Sequence, residues 1–551
     1  MLSKPKRRLD AWTVVTAACT LFFLLFLVYP ISRIFIQSVH TAETGFTLAY
    51  FRKFFSKPYY TNALLNSFKV TLCVTVLAAL VGTPMAYILR TVQIKGKAVL
   101  EILIIISMLS PPFIGAYSWV LLLGRSGPIT WFINNVLHIT FDGIYGFGGI
   151  LLVFTMQLYP LIYMYISGAL KNMDDSLNEA SESLGCVGLS RIFKVVLPLI
   201  LPTLLSGCLL VFMRALADFG TPMLIGEGYR VMPVLIFNEF ISEMGGNDSF
   251  AAALSVIMVI ITTVLFLAQR YISGKKSFSM SATHPMSAKK ATGVKNVAAH
   301  VFVYLVVGIS ILPQLTVAFT SFKNTSGRLF VDGYSLNSYR EAFGKMGTSI
   351  VNTFVYSIAA IVLVVILGTL IAYITVRRRS KVTGALDTLT MMPYIIPGSV
   401  MGISLLMAFN KQPLMLMGTA AILIVAYVIR RLPYTIRSSS AILAQISPSV
   451  EEASISLGAS HMKTFVRVTA PMMAPGVVSG AIMSWMTIIS ELSASVLLYV
   501  NTTKTLTIAV YTEIVRGNYG VAAALSVILT LSTVVVLLIF FRVSGNREIS
   551  M

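Results

Sequence analysis

Long apolar runs constrain this chain more than any other feature. Twelve of them are long enough to cross a lipid bilayer, which takes about 20 residues in a helix. Because 56% of the 551 residues are hydrophobic and only 11% are charged, the chain is too apolar for an ordinary soluble domain. We therefore predict an all-α polytopic membrane protein. The runs lie near 11–32, 62–89, 98–123, 148–170, 195–217, 251–272, 299–320, 350–376, 386–409, 416–437, 472–499 and 520–541.

The two halves of the chain repeat each other in order. The segment AAALSVI at 251–257 recurs unchanged at 522–528, which indicates a tandem duplication. Each half has six runs, an even number, so the two repeats are predicted to be parallel. We divide the chain into a first repeat at 1–274, a cytoplasmic linker at 275–298 and a second repeat at 299–551. At an offset of 286 residues, the shared residues are Asn66, Gly82, Ala86 and Tyr87, with their copies Asn352, Gly368, Ala372 and Tyr373.

The basic residues predict the orientation in the membrane. The formal charge of +21 comes from 42 Lys and Arg against 21 Asp and Glu, but the basic residues form short clusters between apolar runs, so we exclude nucleic acid as a partner. With the N-terminus inside, the inner segments hold 27 Lys and Arg, Arg430 and Arg431 among them, and the outer segments hold 13. The positive-inside rule then predicts a multi-pass protein of the cell membrane with both termini in the cytoplasm.

A short motif recurs between the fourth and fifth runs of each half. The first copy reads EASESLGCVGLSRIFKVVLPLILP at 179–202, and the second reads EASISLGASHMKTFVRVTAPMMAP at 452–475. An acid followed by small residues favours a helix N-terminus, glycine permits a tight turn, and the prolines suit the start of the next span. We expect a short helix on the cytoplasmic face of each half. The residues singled out are Glu179, Ala180, Ser181 and Gly185, with Glu452, Ala453, Ser454 and Gly458.

This motif resembles the EAA motif of binding-protein-dependent ABC importer permeases. The resemblance implies a type I ABC importer (MetI-like) fold with about twelve transmembrane helices in two parallel six-helix repeats. It also implies that the two short helices couple to two ATP-binding cassette subunits and that an extracytoplasmic solute-binding protein delivers the cargo. The stretches 110–124, 214–228 and 238–257 are similar to ferric-iron uptake permeases. The implied cargo is ferric iron, with a phosphonate, a sugar phosphate or thiamine as alternatives.

The sequence offers no catalytic site. It has no phosphate loop of the form GxxxxGK[ST], so we expect ATP-Mg to be bound in a separate ATPase and no cofactor to be bound by this chain. The four cysteines and five histidines lack the spacing of metal ligands, so we predict no metal site. The alternative from another class is an ATP-independent secondary transporter or channel. A membrane-embedded enzyme ranks below both.

Three ionisable residues lie in or at the ends of the predicted spans. Arg214 and Asp218 are four residues apart, so they would share a helix face and could pair, and Asp218 maps onto Glu491 at an offset of 273 residues. Charges at membrane depth are functional candidates, so these three residues are candidates for the translocation pathway or its gate. The alternative is that the two acids are hydrated at the outer ends of their spans. Pro111–Pro112 and Pro393 interrupt the third run of each half, where we expect packing kinks.

Overall fold

The computed structural model describes residues 11–41, 45–109, 112–241, 248–275, 288–327 and 329–544. Most of these residues are helical, in agreement with the prediction. The strands in this part of the chain form two short antiparallel hairpins, each of which follows the first long helix of a half. The hairpins pair His40–Thr41 with Gly45–Phe46 and Lys323–Ser326 with Leu329–Tyr334.

Twelve helical segments correspond to the twelve predicted spans. Among the described residues, nine helices are long and apolar enough to cross a membrane, and two further spans are bent helix pairs. The remaining segment, the tenth, has 26 residues and is about 39 Å long, but it carries three arginines. In chain order the spans are Ala11–Ser38, Pro58–Thr91, Lys97–Leu109 with Pro112–Leu123, Phe147–Lys171, Leu189–Ala217, Asp248–Lys275, Gly293–Thr320, Asn337–Arg377, Lys381–Ile395 with Gly398–Phe409, Ala420–Gln445, His461–Ile489 and Tyr519–Ser544.

Shorter helices connect the spans. We call Ser176–Ser183 the first loop helix and Pro448–Ser456 the second loop helix, because each lies between the fourth and fifth spans of its half. The seventh span begins at Gly293, inside the predicted linker, and residues 276–287 of that linker lie outside the described residues. The other short helices are Ala49–Ser56, Pro128–Asn135, Gly220–Ile225, Met232–Ile241, Ser495–Leu498, Asn501–Thr503 and Leu506–Arg516.

The repeated glycines allow close helix packing in both halves. A Cβ atom on Gly82 of the second span would lie 2.7 Å from the carbonyl oxygen of Tyr159 in the fourth span. A Cβ atom on Gly368 of the eighth span would lie 2.8 Å from Cγ2 of Thr435 in the tenth span. Small residues let membrane helices approach closely. The glycines that the repeat aligns therefore allow the same close packing of two spans in each half.

The repeated asparagines also make equivalent contacts. The side-chain amide of Asn66 donates a hydrogen bond to the carbonyl oxygen of Arg230 at 3.1 Å, and that of Asn352 donates to the carbonyl oxygen of Lys504 at 3.1 Å. Each contact ties a span to the irregular segment that precedes a short helix, where backbone carbonyls need partners. The duplication seen in the sequence thus extends to individual hydrogen bonds.

The first span of each half packs against the other half. Phe26 of the first span contacts Phe409 of the ninth span, with ring centroids 5.6 Å apart. Ser310 of the seventh span is hydrogen-bonded to the hydroxyl of Tyr159 in the fourth span at 3.1 Å. Because of this exchange, the two sequence repeats share packing surfaces, and residues from both surround the centre of the molecule.

Candidate functional site

A cavity of about 240 Å³ lies between the two halves. Its walls come from the third, fourth, fifth, ninth, tenth and eleventh spans. The ninth span bends by 113° between Ile395 and Gly398, and Tyr394 lines the cavity at this bend. The equivalent break in the third span includes residues 110–111, which lie outside the described residues. Five charged residues line the cavity: Arg214, Asp218, Arg430, Arg431 and Glu491.

Of the five charged residues that line the cavity, Glu491 has the most ion-pair and hydrogen-bond partners among the residues that the structure describes. It is only 4% exposed and forms ion pairs with both Arg430 and Arg431. The backbone N–H of Ala494 also donates to its carboxylate at 3.1 Å. A buried charge is tolerated only when it is paired and hydrogen-bonded. Glu491 therefore holds the two arginines of the tenth span at the end of the eleventh span.

Asp218 makes the equivalent backbone contact in the first half. Its carboxylate accepts a hydrogen bond from the backbone N–H of Thr221 at 3.0 Å, and Thr221 stands three residues later, as Ala494 does after Glu491. The repeat-related acids thus hold the same turn after the fifth and eleventh spans. Within the described ranges no group of three or more His, Cys, Asp or Glu residues could hold a metal ion.

The predicted pairing of Arg214 with Asp218 is wrong for the described structure, where the two residues line one cavity without forming an ion pair. The fifth span ends at Ala217, and Asp218 has an extended backbone with φ −74° and ψ 131°. Spacing of four residues brings side chains together only while the helix continues. Arg214 instead lies against the hydroxyl of Tyr434 in the tenth span.

Arg430 and Arg431 are the cavity residues that sequence reasoning missed, because they were counted with the inner loop. They are the eleventh and twelfth residues of the 26-residue tenth span. Moving both leaves 25 basic residues inside against 13 outside, so the predicted orientation keeps its sign. The missed signal is that both arginines lie inside the predicted apolar run 416–437, in which Pro433 is the repeat partner of Pro160 inside the fourth span. Charges in the middle of such a run predict a buried polar site.

The two loop helices present the same predicted residues to solvent. Glu179 and Ala180 are exposed on the first loop helix, and Glu452 and Ala453 are exposed on the second. A pair of equal surfaces at equivalent positions is what the duplicated motif predicts. Both acids are therefore available for contact with a partner.

The hydroxyl groups of the motif serines form hydrogen bonds within the chain. The hydroxyl of Ser181 donates to the carbonyl oxygen of Asn178 at 2.8 Å, and the hydroxyl of Ser454 lies 3.0 Å from that of Thr464. Ser181 is buried and Ser454 is half-buried. These residues stabilise the loop helices, whereas the neighbouring acids and alanines form their outer surface.

A glycine turn and an exposed leucine follow each motif. Gly185 and Gly458 have positive φ angles of 76° and 88°, which glycine adopts without the penalty of a Cβ atom. The residues before them, Leu184 and Leu457, are 86% and 89% exposed. The repeat thus exposes a large apolar side chain at the same position in each half.

The two loop helices differ in how they are anchored. Glu451 of the second loop helix forms an ion pair with Arg377 of the eighth span at 3.0 Å and accepts a hydrogen bond from Tyr373 at 3.0 Å. The repeat partner of Glu451 is Asn178, whose side-chain amide donates to Asp175 within its own loop at 2.9 Å. The second loop helix is thus tied to the eighth span by a largely buried ion pair. The first loop helix is held by local hydrogen bonds and by a longer, more exposed ion pair of 3.5 Å to the helix that follows it.

Two parts of the chain, residues 74–277 and 364–546, match the family model described as binding-protein-dependent transport system inner membrane component. The chain belongs to this family. Each match begins beyond the first span of its half and includes a loop helix. The predicted fold class, an all-α polytopic membrane protein with the MetI-like fold, is confirmed. Of the three classes that the sequence left open, a transport permease is the correct one.

The permease resembles iron transport proteins over nearly its whole length. It is 29% identical to the ferric transport system permease protein FbpB of Actinobacillus pleuropneumoniae, over 96% of this chain and 78% of that protein. It is 24% identical to a putative 2-aminoethylphosphonate transport system permease protein PhnU of Salmonella typhimurium, over 46% of this chain and 88% of that protein. The predicted resemblance to ferric-iron permeases is confirmed.

A solved structure of a bacterial ABC transporter involved in alginate import is similar to part of the permease. The likeness has a TM-score of 0.36 and 18% identity, and it covers 47% of this chain and 93% of that one.

Proposed function

We propose that this permease is the membrane subunit of an ATP-driven importer whose cargo is ferric iron. Two ATP-binding cassette subunits dock on the cytoplasmic face, one on each loop helix, and an extracytoplasmic solute-binding protein delivers the cargo to the opposite face. ATP-Mg is bound and hydrolysed by the ATPase subunits, and both termini of the permease are cytoplasmic. The observation that supports this machinery best is the pair of loop helices with equal exposed surfaces.

The docking surface combines charge with apolar contact. Glu179 and Glu452 supply an exposed carboxylate on each loop helix, and Leu184 and Leu457 supply an apolar side chain five residues later. Removing these exposed leucine side chains from water on binding a partner is energetically favourable. The duplicated surface suits two identical partners or two related ones.

Each loop helix leads directly into a helix that reaches the cavity. The fifth span, Leu189–Ala217, and the eleventh span, His461–Ile489, have 29 residues each, about 43 Å of helix. Beyond them stand Asp218 and Glu491 on the cavity wall. A helix transmits a displacement along its axis, so movement of an ATPase subunit at the loop helix shifts one wall of the cavity. Alternating opening of the cavity to the two sides follows from this connection.

The cavity forms part of the translocation pathway in this proposal, with Arg214, Asp218 and Glu491 on its wall. Its volume of about 240 Å³ lies below the roughly 300–1,000 Å³ of pockets that hold drug-sized ligands. A small ion suits this space better than a sugar phosphate or thiamine does. The similarity to a ferric transport permease over 96% of the chain supports ferric iron as the cargo.

A phosphonate is the second candidate cargo. The arginines of the cavity wall favour an anion, and the relative from Salmonella typhimurium carries 2-aminoethylphosphonate in its description. The two candidates use the same loop helices and the same ATPase partners. They differ only in what crosses the cavity.

Uptake by the reconstituted importer tests the proposal. The permease, its ATPase subunits and its binding protein are placed in proteoliposomes with ATP on the ATPase side, and radioactive ferric iron is supplied on the other side. We expect accumulation that requires ATP and that the double variant Glu179→Lys, Glu452→Lys abolishes. Glu341→Lys serves as the control, because in the described part of the chain Glu341 forms an ion pair with Lys345 alone, on the surface, and such pairs contribute little. Accumulation without ATP, or full activity of the double variant, would contradict the proposal.

A further inference from the structure

The charges on the cavity wall do not balance. Three arginines face two carboxylates, so the formal charge of the lining is +1. Arg430 and Arg431 share the single carboxylate of Glu491. A bare trivalent cation would be repelled by this wall, and repulsion is stronger where little water screens the charges.

Arg214 has no ion-pair partner in the described part of the chain. Its electrostatic neighbours are the phenol groups of Tyr434, Tyr394 and Tyr165. Arg214, Tyr394 and Tyr434 all line the cavity. A guanidinium group has five N–H donors, and phenol hydroxyls donate as well, so this corner of the cavity presents donors from three side chains.

Arg430 and Arg431 add further donors to the cavity wall. Both residues line the cavity, and each guanidinium group has more N–H donors than its ion pair with Glu491 uses. Guanidinium groups bind phosphate and related oxyanions through paired hydrogen bonds.

We propose that the central cavity is an oxyanion-binding site, formed by Arg214 and Arg430 with the hydroxyl groups of Tyr394 and Tyr434, and that the cargo crosses the permease carrying an oxyanion. This inference rests on the proposed function, because it takes the cavity as part of the pathway. The shared chemistry is a phosphate or phosphonate group. Its source is either an oxyanion that accompanies ferric iron or the head group of an organic phosphonate.

Binding to the complete importer tests the site directly. The permease with its ATPase subunits is placed in lipid nanodiscs, and binding of radioactive inorganic phosphate and of radioactive 2-aminoethylphosphonate is measured, with the isolated ATPase subunits as background. We expect saturable binding, an affinity at least about tenfold lower in Arg214→Gln, and a smaller loss in Arg214→Lys, which keeps the charge. Arg437→Gln is the matched control, since Arg437 is on the same span as Arg430 but pairs with Asp387 outside the cavity. If wild type binds neither anion above background, or if Arg214→Gln binds like wild type, the site is wrong.

A transport measurement separates the two sources of the oxyanion. Proteoliposomes receive either ferric iron with labelled phosphate or labelled 2-aminoethylphosphonate without iron. Co-accumulation of iron and phosphate that Arg214→Gln reduces supports both the site and the ferric cargo. Phosphonate uptake that depends on Arg214, without iron uptake, supports the site and contradicts the ferric cargo. Iron uptake without phosphate that is unaffected by Arg214→Gln contradicts the site and leaves the proposed function standing.

Discussion

The two repeats agree at their loop helices and differ around the cavity. Each loop helix exposes a glutamate and an alanine. It is followed by an exposed leucine and then by a glycine with positive φ. At the cavity, by contrast, Gln157 stands where the second half has Arg430, and Arg214 stands where the second half has Thr487. Two equivalent ATPase subunits would require the same surface twice, whereas one cargo molecule on a central axis would not require a symmetric wall. Under the proposed function, duplication preserved the surfaces of the loop helices and left the cavity wall free to diverge.

The acids at the ends of the fifth and eleventh spans show how far this divergence has gone. Asp218 and Glu491 accept the same backbone hydrogen bond, but among the described residues only Glu491 also forms ion pairs with two arginines. Both halves therefore have an acid at this position, but in the part of the chain that the structure describes only the acid of the second half forms ion pairs with arginines of the cavity wall.

The largest expected effect comes from removing the carboxylate of Glu491. Glu491→Ala leaves the side chains of Arg430 and Arg431, each only 13% exposed, without their counter-charge, which should cost about 3–5 kcal/mol of folding free energy. Asp218→Ala removes a single hydrogen bond to a backbone N–H and should cost about 1–2 kcal/mol. Chemical unfolding of both variants in detergent micelles measures the difference. Equal losses would show that the two halves of the cavity are electrostatically alike.

A smaller effect is expected from the anchor of the second loop helix. Glu451→Gln breaks the ion pair with Arg377, and we expect about 1–3 kcal/mol less protection of residues 448–456 in hydrogen exchange. Glu452→Gln, the adjacent exposed glutamate, is the control and should leave protection unchanged. Asn178→Ala in the first half should act only within its own loop. If Glu451→Gln leaves the second loop helix as protected as wild type, the proposed difference in anchoring is contradicted.

The smallest effect concerns the glycine turns. Gly185→Ala and Gly458→Ala place a Cβ atom at positive φ but in open space, so each should cost about 1 kcal/mol, and the two costs should be equal. Gly168→Ala, at an open position inside the fourth span, is the control and should be neutral or slightly stabilising. Thermal unfolding of the three variants measures this. Clearly unequal costs for the two turns would mean that the loop helices are less alike than their exposed surfaces.

The sequence predicted what the repeat itself encodes. The repeat aligns Gly82 with Gly368 and Asn66 with Asn352, and each aligned pair makes equivalent contacts in the structure. Apolar length and the duplicated motif likewise located the spans and the loop helices. These features depend on local pattern, which is visible without coordinates.

The cavity was harder to predict because it depends on where helices end. Arg214 and Asp218 looked like neighbours on one helix face, but the fifth span stops at Ala217 and separates them. Arg430 and Arg431 were counted as loop charges, but they lie within the tenth span and form ion pairs with Glu491, which is about 60 residues later in the chain. Long-range ion pairs leave no periodic signal in a single sequence, so only the fold brings these side chains together.

The stoichiometry of the assembled importer tests the central claim most directly. Native mass spectrometry of the complex should show two ATPase subunits for each permease chain. The variant Glu179→Lys, Leu184→Asp should weaken one docking surface, and Glu452→Lys, Leu457→Asp should weaken the other to the same degree. The fourfold variant should release both ATPase subunits while the permease remains folded. Retention of two ATPase subunits by the fourfold variant would contradict the account.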